Sequence, residues 1–223
     1  MGYNVIVSTE YIILTLVRLI LPLSILRWPL FGIILAASLD YKDWDFLGVS
    51  NDREMIFYQN WDKFMDIYYL ALAWFVSLKW QDKIARVTSS ILFFWRVLGI
   101  PVAFFIDRSL LILFPNIFEW FFLFYLLFVF LRKQQILFTS HKILTIVLLS
   151  VTIPKLAQEY FMHVIRRFPW DIFNPYKELG LDKFLPNVIN WPQWMWVFAF
   201  GLLPILALIW AIKFAPKQVG NSH

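Results

Sequence analysis

The chain contains no cysteine and has little glycine, histidine or charge: 7 of its 223 residues are glycine, 3 are histidine and 16% are charged. The absence of cysteine excludes disulfides, thiolate metal sites and cysteine nucleophiles. A protein zinc site needs several ligands such as histidine. Only His163 lies near other candidate site residues, so the sequence argues against zinc. No phosphate-binding loop, dinucleotide fingerprint or nucleophile motif is present, and nothing indicates a nucleic acid partner.

Apolar residues dominate the composition. The chain is 61% hydrophobic and 20% aromatic, with 24 phenylalanines and 12 tryptophans, which is more apolar surface than a soluble domain of this size needs. Several runs reach the roughly 20 apolar residues that a helix needs to cross a bilayer. We therefore predict an all-α, polytopic membrane helix bundle. It forms a single integral membrane domain over residues 1–223, without a cleavable signal peptide.

Seven transmembrane helices are predicted. They cover residues 5–26, 30–47, 58–79, 85–106, 110–131, 142–167 and 194–214. Arg18 and Pro22 interrupt the first of them. Residues 168–191 are too polar to span and fit either short pieces on the outer leaflet or a loop anchored by aromatic residues. If the first two spans form one bent or re-entrant unit, the count falls to six and the N-terminus changes side.

Basic residues are concentrated in alternate loops of this topology. With the N-terminus outside, the inner side collects Arg27, Lys79, Lys83, Arg86, Arg132, Lys133, Lys142, Lys213 and Lys217. The outer loops carry mixed charge. This distribution follows the positive-inside rule. It predicts a multi-pass protein of the cell membrane with its N-terminus outside and its C-terminus inside.

Ionisable residues also lie within the predicted spans. In the sixth span, four of them share one face of a helix, at spacings of four, four and three residues: Lys155, Glu159, His163 and Arg166. Pro154, just before them, frees the backbone carbonyl of Ser150. Charges at membrane depth are costly, and they usually mark either a functional site or a buried charge network.

On the predicted topology, most of these charges fall in the outer half of the membrane. We expect a polar cavity that opens to the outer face, with its floor near Arg96, Glu119 and Lys155. The residues expected to bind a substrate there are Asp62, Asp66, Tyr69, Arg96, Arg108, Glu119, Lys155, Glu159, His163 and Arg166. The alternative is a structural network that holds the bundle together, although apolar packing is usually as stable as a buried ion pair.

Two kinds of chemistry are compatible with these residues, and the sequence leaves open whether the protein is an enzyme. Glu159 and His163, one helical turn apart, are candidates for a catalytic acid–base pair. A divalent cation could be held by Asp40, Asp43, Asp62 and Asp66. The alternative for Asp40 and Asp43 is that they are ordinary solvated residues at a helix end. Retinal would need a lysine in the middle of the last span. Lys213 lies at its end, which argues against retinal.

Two blocks of the chain are similar to a group of bacterial multi-pass membrane proteins to which no activity is attached. They begin FYQNWDKFMDIYY at residue 57 and IPKLAQEYFMH at residue 153, and they extend over spans three to six. The residues that carry the resemblance are Asp62, Lys63, Asp66, Tyr69, Arg96, Arg108, Pro115, Asn116, Glu119, Pro154, Lys155, Glu159, His163 and Trp170. The resemblance implies a bacterial integral membrane protein and no mechanism.

Three functions are compatible with the sequence. The first, and our expectation, is a membrane protein that binds or transports a small solute in the charged cavity, because proline-broken spans with charges near mid-membrane are typical of transporters. The second is an enzyme acting on a lipid or lipid-linked substrate at the outer leaflet. The third is a subunit or assembly factor of a larger membrane complex. In that case aromatic faces such as residues 118–130 would contact a membrane-protein partner rather than the more usual membrane lipid.

Overall fold

The described part of the chain is helical and contains no strand, which confirms the all-α prediction. A computed structural model describes residues 9–47, 52–132, 138, 140–160 and 191–214. The α-helices are α1 (Thr9–Ile20), α2 (Pro29–Leu47), α3 (Asp52–Ser77), α4 (Lys83–Phe105), α5 (Ile117–Arg132), α6 (His141–Glu159) and α7 (Trp191–Phe214). Two 3₁₀ helices, Leu21–Leu26 and Arg108–Leu113, precede α2 and α5.

Each of the seven predicted spans coincides with helical structure. Three stretches are long and apolar enough to cross a membrane: Thr9–Leu26, Lys83–Phe105 and Leu110–Leu131. Two shorter apolar stretches, Pro29–Asp40 and Leu202–Phe214, lie within α2 and α7. The end of the predicted sixth span after residue 160 and most of the predicted outer segment, residues 168–190, fall outside the described residues. The protein is therefore a helical protein with membrane-length apolar helices.

The chain divides within α4 into two compact units, unit 1 (Met1–Phe93) and unit 2 (Phe94–His223). In unit 1, α1 changes to a 3₁₀ helix at Leu21, where Pro22 cannot donate a backbone hydrogen bond to the helix. Gly32 of α2 lies against this 3₁₀ helix, and a Cβ added there would come within 2.6 Å of the Ile25 Cα. The close approach brings the two elements into direct contact.

Small residues join α3 to the beginning of α4 in unit 1. The hydroxyl of Ser89 donates to the Ser77 hydroxyl at 2.8 Å, and both serines are fully buried. The carboxylate of Asp82 accepts a hydrogen bond from the backbone N–H of Ala85 at 3.0 Å and so caps the first turn of α4. This cap fixes where α4 begins.

The core of unit 2 is built around α5, which contacts α6 and α7. Its aromatic side chains pack inward: Phe118, Phe121, Phe122 and Phe128 have no exposed surface, and Phe124 is also buried. Phe130 is the exposed member of this series. Most of the aromatic face that the sequence offered for lipid or partner contact is therefore internal packing.

Candidate functional site

A buried arginine stands at the centre of unit 1. The Arg18 guanidinium donates through Nη1 to Asp43 and, at 3.1 Å, to Asp62. Through Nη2 it donates to Asp40 and, at 3.4 Å, to Asp66. Its side chain is 3% exposed, and that of Asp43 is fully buried. One cation from α1 thus gathers two carboxylates from α2 and two from α3.

A second cation and two aromatic residues also contact members of this site. The Lys63 ammonium donates to Asp62 at 2.8 Å and to Asp66 at 3.0 Å. The Tyr58 hydroxyl donates to Asp43 Oδ1 at 2.6 Å. The ring of Trp61 lies under the Arg18 guanidinium, with its centroid 5.1 Å from Cζ, a cation–π arrangement. We call the charged residues the Arg18 cluster: Arg18, Asp40, Asp43, Asp62, Lys63 and Asp66.

Helical spacing explains why these side chains can converge. Asp40 and Asp43 are three residues apart on α2, and Asp62 and Asp66 are four apart on α3, so each pair lies on one face of its helix. Hydrogen bonds hold α1 against α3: Trp61 donates to the Thr15 hydroxyl at 3.0 Å, and Tyr68 donates to the Leu19 carbonyl at 2.9 Å. Arg18 lies between those two contacts along α1.

The Arg18 cluster is rich in carboxylate groups. Among the described residues, it holds four carboxylates against one guanidinium and one ammonium. The carboxylate oxygens of Asp40, Asp62 and Asp66 lie within 4.8 Å of one another. Buried charges need close partners because their desolvation is expensive. The arrangement can therefore hold Arg18 in place and bind a further small cation among the same oxygens.

Unit 2 has charged side chains of its own. Arg96 donates through Nη1 to the Phe114 carbonyl at 2.8 Å, and the same nitrogen is 4.0 Å from Glu159 Oε1. The Lys155 ammonium is 3.5 Å from Glu159 Oε1 and donates to Gln158 at 3.0 Å. The Asn116 amide donates to Glu119 Oε2 at 2.8 Å. We call these residues the Arg96 cluster: Arg96, Asn116, Glu119, Lys155, Gln158 and Glu159.

The predicted substrate-binding residues are distributed over both units. Asp62 and Asp66 belong to the Arg18 cluster, and Tyr69 is buried one turn further along α3. The members in the Arg96 cluster are Arg96, Glu119, Lys155 and Glu159. Arg96 and Glu159 are buried, and Glu119 is half-buried.

Three predicted site residues lie wholly or partly outside the described part of the chain. His163 and Arg166 lie outside the described residues, so the proposed Glu159–His163 acid–base pair stays a prediction. Arg108 begins the second 3₁₀ helix, and its side chain also lies outside the described part. The expectation of one cavity containing all of these residues remains a prediction as well.

Four functional candidates emerge from the structure that the predicted site omitted: Arg18, Tyr58, Lys63 and Asn116. Arg18 had a clear signal, because an arginine inside an apolar run needs a counter-charge. The signal for Lys63 was its position between Asp62 and Asp66. Tyr58 carries no comparable signal, because uncharged polar residues near helix ends are common, and Asn116 was indicated only by the resemblance. Of the predicted metal ligands, Asp40, Asp62 and Asp66 come together, while Asp43 binds the same guanidinium.

The chain matches no protein-family model, and comparison with curated proteins and with solved structures gives no significant match. The two charged clusters and the helices that carry them are therefore the features that indicate function. Together these features define a class of protein: a helical protein with membrane-length apolar segments and ionisable groups buried among its helices.

Proposed function

We propose that this protein is a multi-pass protein of the cell membrane that binds a small cationic solute at the Arg18 cluster and transports it. The observation that carries the proposal is the convergence of Asp40, Asp62 and Asp66, with carboxylate oxygens within 4.8 Å of one another. Ionisable groups in a membrane bundle commonly mark ion or substrate pathways. Carboxylates in this arrangement select a cation.

Seven transmembrane helices with the N-terminus outside form the proposed topology. It is supported by the coincidence of helices with all seven predicted apolar stretches and by the excess of basic residues in alternate loops. Exposed apolar residues on α1, namely Ile12, Ile13, Leu16 and Ile20, recur on one face and suit contact with lipid. In this topology α2, which carries Asp40 and Asp43, is the second membrane span.

Lys63 indicates what the solute resembles. Its ammonium group already bridges Asp62 and Asp66, at 2.8 and 3.0 Å, so the site geometry accepts a compact cation. Lysine has a flexible stem and its charge is a point charge, whereas the planar arginine fork is fixed by its several partners. Lys63 is 16% exposed and Arg18 is 3% exposed. A solute cation therefore takes the place of the Lys63 ammonium while Arg18 stays.

A purely structural network is the competing explanation. Such a network is most stable when opposite charges are matched, because each unmatched buried charge carries a desolvation cost. A binding site differs from such a network in that a solute cation can take the place of the Lys63 ammonium, whose side chain is 16% exposed. A binding site can also tolerate a local loss of stability in exchange for function.

Thermal unfolding of the purified protein in detergent tests cation binding. Sodium, methylammonium and magnesium chlorides are compared with N-methylglucamine chloride, a bulky cation, at equal ionic strength. A cation present at about 100 times its Kd stabilises the folded state by about 2.7 kcal/mol, or roughly 5–10 °C in Tm for a chain of this size. Equal Tm values in all four salts would contradict the proposal.

Matched variants test whether the cation that raises Tm binds at the Arg18 cluster. We expect Asp62→Asn to abolish the cation-dependent rise in Tm, because it removes one of the three convergent carboxylates. Asp107→Asn neutralises an exposed aspartate in unit 2 and should keep the rise. A rise confined to magnesium would instead favour a divalent-metal site, the chemistry expected of an enzyme acting on lipid head groups.

Transport itself needs a flux measurement. The protein is reconstituted in liposomes, and uptake of the cation that raises Tm is followed in wild type and Asp62→Asn vesicles. Uptake by wild type alone supports a transporter. Binding in detergent without uptake would leave a cation-binding membrane protein and would overturn the transport step.

A further inference from the structure

Three basic residues surround the turn that joins α3 to α4 in unit 1. Lys79 follows the end of α3, Lys83 begins α4, and Arg86 lies three residues further along α4. Lys79 and Lys83 are exposed, and Arg86 is half-buried. None of the three forms an ion pair with a carboxylate in the described part of the chain.

The basic residues of the two charged clusters differ from these three. Each of them has a carboxylate oxygen within 4.0 Å: Arg18, Lys63, Arg96 and Lys155. The α3–α4 turn contains one carboxylate, that of Asp82. This residue is 3% exposed and caps α4 by accepting from the backbone N–H of Ala85 at 3.0 Å. The exposed charge of the turn is therefore positive.

Two contacts position the cations around this turn. The Lys79 ammonium lies over the ring of Phe75, 5.3 Å from its centroid, in a cation–π arrangement. The Arg86 guanidinium donates through Nη1 to the carbonyl of Trp80 at 3.3 Å. Since Trp80 is the residue after Lys79, this hydrogen bond draws the guanidinium of α4 back towards the end of α3. Lys83 lies on the same face of α4 as Arg86, one turn before it.

Exposed apolar residues share these helix faces. Phe75 and Lys79 are four residues apart at the end of α3, as are Lys83 and Val87 at the start of α4, and that spacing places each pair on one face. Phe75, Leu78 and Val87 are 52%, 38% and 48% exposed. On both helices the cation lies nearer the turn, with an apolar residue further into the helix. We call these residues the α3–α4 turn surface: Phe75, Leu78, Lys79, Lys83, Arg86 and Val87.

We propose that the α3–α4 turn surface binds an anionic phospholipid. The phosphate lies against the three cations, and the acyl chains follow the apolar residues into the membrane. A soluble anion would use the cations alone, and a zwitterionic lipid brings its own ammonium group to a site that already has excess positive charge. Basic residues beside a membrane surface are attracted to anionic lipids. The inference rests on the proposed placement of the protein in a membrane, and it does not involve the Arg18 cluster.

Lipid selectivity of the full-length protein in a non-ionic detergent tests the proposal. Native mass spectrometry measures the binding of phosphatidylglycerol and phosphatidylcholine with identical acyl chains. We expect phosphatidylglycerol to bind at least tenfold more tightly, because one basic residue near an anionic surface contributes about fivefold in affinity and three are present. Equal binding of the two lipids would overturn the proposal.

Matched double variants assign the selectivity to this turn. Lys79→Gln/Lys83→Gln should weaken phosphatidylglycerol binding at least tenfold and leave phosphatidylcholine binding within about twofold of wild type. Arg27→Gln/Lys213→Gln makes the same change of charge at two exposed positions elsewhere, and should leave both affinities within about twofold. Equal losses in the two double variants would show that selectivity follows total charge, and would overturn the assignment to the turn.

Folding of the variants is checked by their Tm in the same detergent. Both lysines are exposed, and exposed charges contribute little to stability, so Lys79→Gln/Lys83→Gln should unfold at the temperature of wild type. Arg86→Lys provides an independent variant, because it keeps the charge and should keep phosphatidylglycerol affinity within about threefold. A tenfold loss in Arg86→Lys with unchanged Tm would contradict an attraction based on charge.

A water-soluble head group distinguishes a lipid site from a site for a free anion. Glycerol 3-phosphate has the phosphate of the lipid but no acyl chains to contact Phe75, Leu78 and Val87. We expect it to displace phosphatidylglycerol only at concentrations at least tenfold above that of the lipid. Displacement at equal concentration would show that the apolar residues do not contribute, and would overturn the assignment to a lipid.

This test and that of the cation site can fail separately. Lys79→Gln/Lys83→Gln should keep the cation-dependent rise in Tm, and Asp62→Asn should keep phosphatidylglycerol affinity within about twofold of wild type. Absence of lipid selectivity in a protein that keeps its cation-dependent rise would overturn the lipid site alone. Loss of lipid selectivity in Asp62→Asn would show that the two sites are not separate, and would contradict the assignment to the turn.

Discussion

Arg18 connects the four aspartates of its cluster through two nitrogen atoms. Each terminal nitrogen of the guanidinium has two carboxylates as neighbours. A lysine could supply the same charge, but a single ammonium group cannot make hydrogen bonds in the planar, two-nitrogen geometry of a guanidinium. The ring of Trp61 packs against the same guanidinium, with the ring centroid 5.1 Å from Cζ. The arginine therefore acts as the internal counter-ion on which α1, α2 and α3 meet.

Removing this counter-ion should be severely destabilising. We expect Arg18→Met to lower the free energy of unfolding by about 3–5 kcal/mol, because breaking a buried ion pair leaves uncompensated charge behind. Arg27→Met, nine residues away at an exposed position, is the control and should change stability little. Thermal unfolding in the same detergent measures both. Equal Tm values for the two variants would show that Arg18 is not needed as a counter-ion.

Tyr58 should stabilise the protein through its hydrogen bond to the charged Asp43 carboxylate. Tyr58→Phe removes a hydrogen bond to the Asp43 carboxylate, and Tyr68→Phe removes one to the neutral Leu19 carbonyl. Bonds to charged groups contribute about 1.5–3 kcal/mol and neutral ones about 0.5–1.5 kcal/mol. We therefore expect the larger fall in Tm for Tyr58→Phe. The reverse order would indicate that Asp43 does not depend on this hydroxyl.

At the residue scale, the sequence predicts pairs on one helix better than pairs between helices. The spacing of Asp62 and Asp66, and of Lys155 and Glu159, placed each pair on one face. The partners of Arg18 lie 22, 25, 44 and 48 residues further along the chain. No local pattern carries that information, because it depends on how three helices cross. Arg18 could therefore be recognised as unusual in an apolar run, but not assigned to its aspartates.

At the element scale, the contact between α2 and the first 3₁₀ helix positions the aspartates of α2. Gly32 makes the contact possible, since a Cβ there would lie 2.6 Å from the Ile25 Cα and 2.7 Å from the Ser24 carbonyl carbon. Both neighbours are backbone atoms, so neither can move without moving the 3₁₀ helix. The position of Asp40 and Asp43 relative to Arg18 depends on this approach.

Gly32→Ala should destabilise the protein although alanine is the better helix former. The intrinsic gain of about 1 kcal/mol from replacing helical glycine is outweighed by the steric clash, which for overpacking typically costs about 1–3 kcal/mol. Ser38→Ala, on an exposed position of the same helix, is the control and should be neutral or stabilising. A higher Tm for Gly32→Ala than for wild type would show that α2 can shift away at little cost.

The extents of the helices were largely predictable from apolar runs, and Pro22 was recognised as an interruption of the first span, but the break at Pro115 was not predicted. Residues 110–131 were expected to form one span. The structure has a 3₁₀ helix to Leu113 and then α5 from Ile117, with Pro115 between them. This break exposes the Phe114 carbonyl that Arg96 binds. Composition within an apolar run predicts helix, but it does not predict which carbonyl will accept from a distant arginine.

At the scale of the whole molecule, the membrane-length stretches differ in how much of their surface is internal. In Leu110–Leu131, 50% of the apolar window is buried, against 22% in Thr9–Leu26 and 28% in Lys83–Phe105. Because α5 is apolar around most of its circumference, periodicity does not reveal how much of it is internal. The central position of α5 in unit 2 could only come from the three-dimensional structure. The two more exposed stretches have the surface that lipid contact requires.

The proposed topology can be tested with single cysteines, because the natural chain has none. In intact cells, a membrane-impermeant maleimide should label Ser50→Cys and Ser109→Cys, which lie on the outer side of the seven-span arrangement. Gln81→Cys and Ser140→Cys should be labelled only after the membrane is permeabilised. The opposite pattern would reverse the orientation, and labelling of all four sites in intact cells would contradict the membrane topology.

The topology of the first hairpin, formed by α1, the first 3₁₀ helix and α2, is tested with a further cysteine variant. This topology decides from which side of the membrane a solute reaches the Arg18 cluster. If α1 with its 3₁₀ helix crosses the membrane and α2 returns, Ser8→Cys should be labelled from outside, as Ser50→Cys is. If the two instead form one bent unit that crosses the membrane once, Ser8→Cys should be protected until permeabilisation while Ser50→Cys is unchanged. Thr9–Leu26 is long and apolar enough to cross by itself, and a helix that crosses completely buries Arg18 at a depth where four aspartates are needed to hold it. We therefore expect labelling of Ser8→Cys from outside.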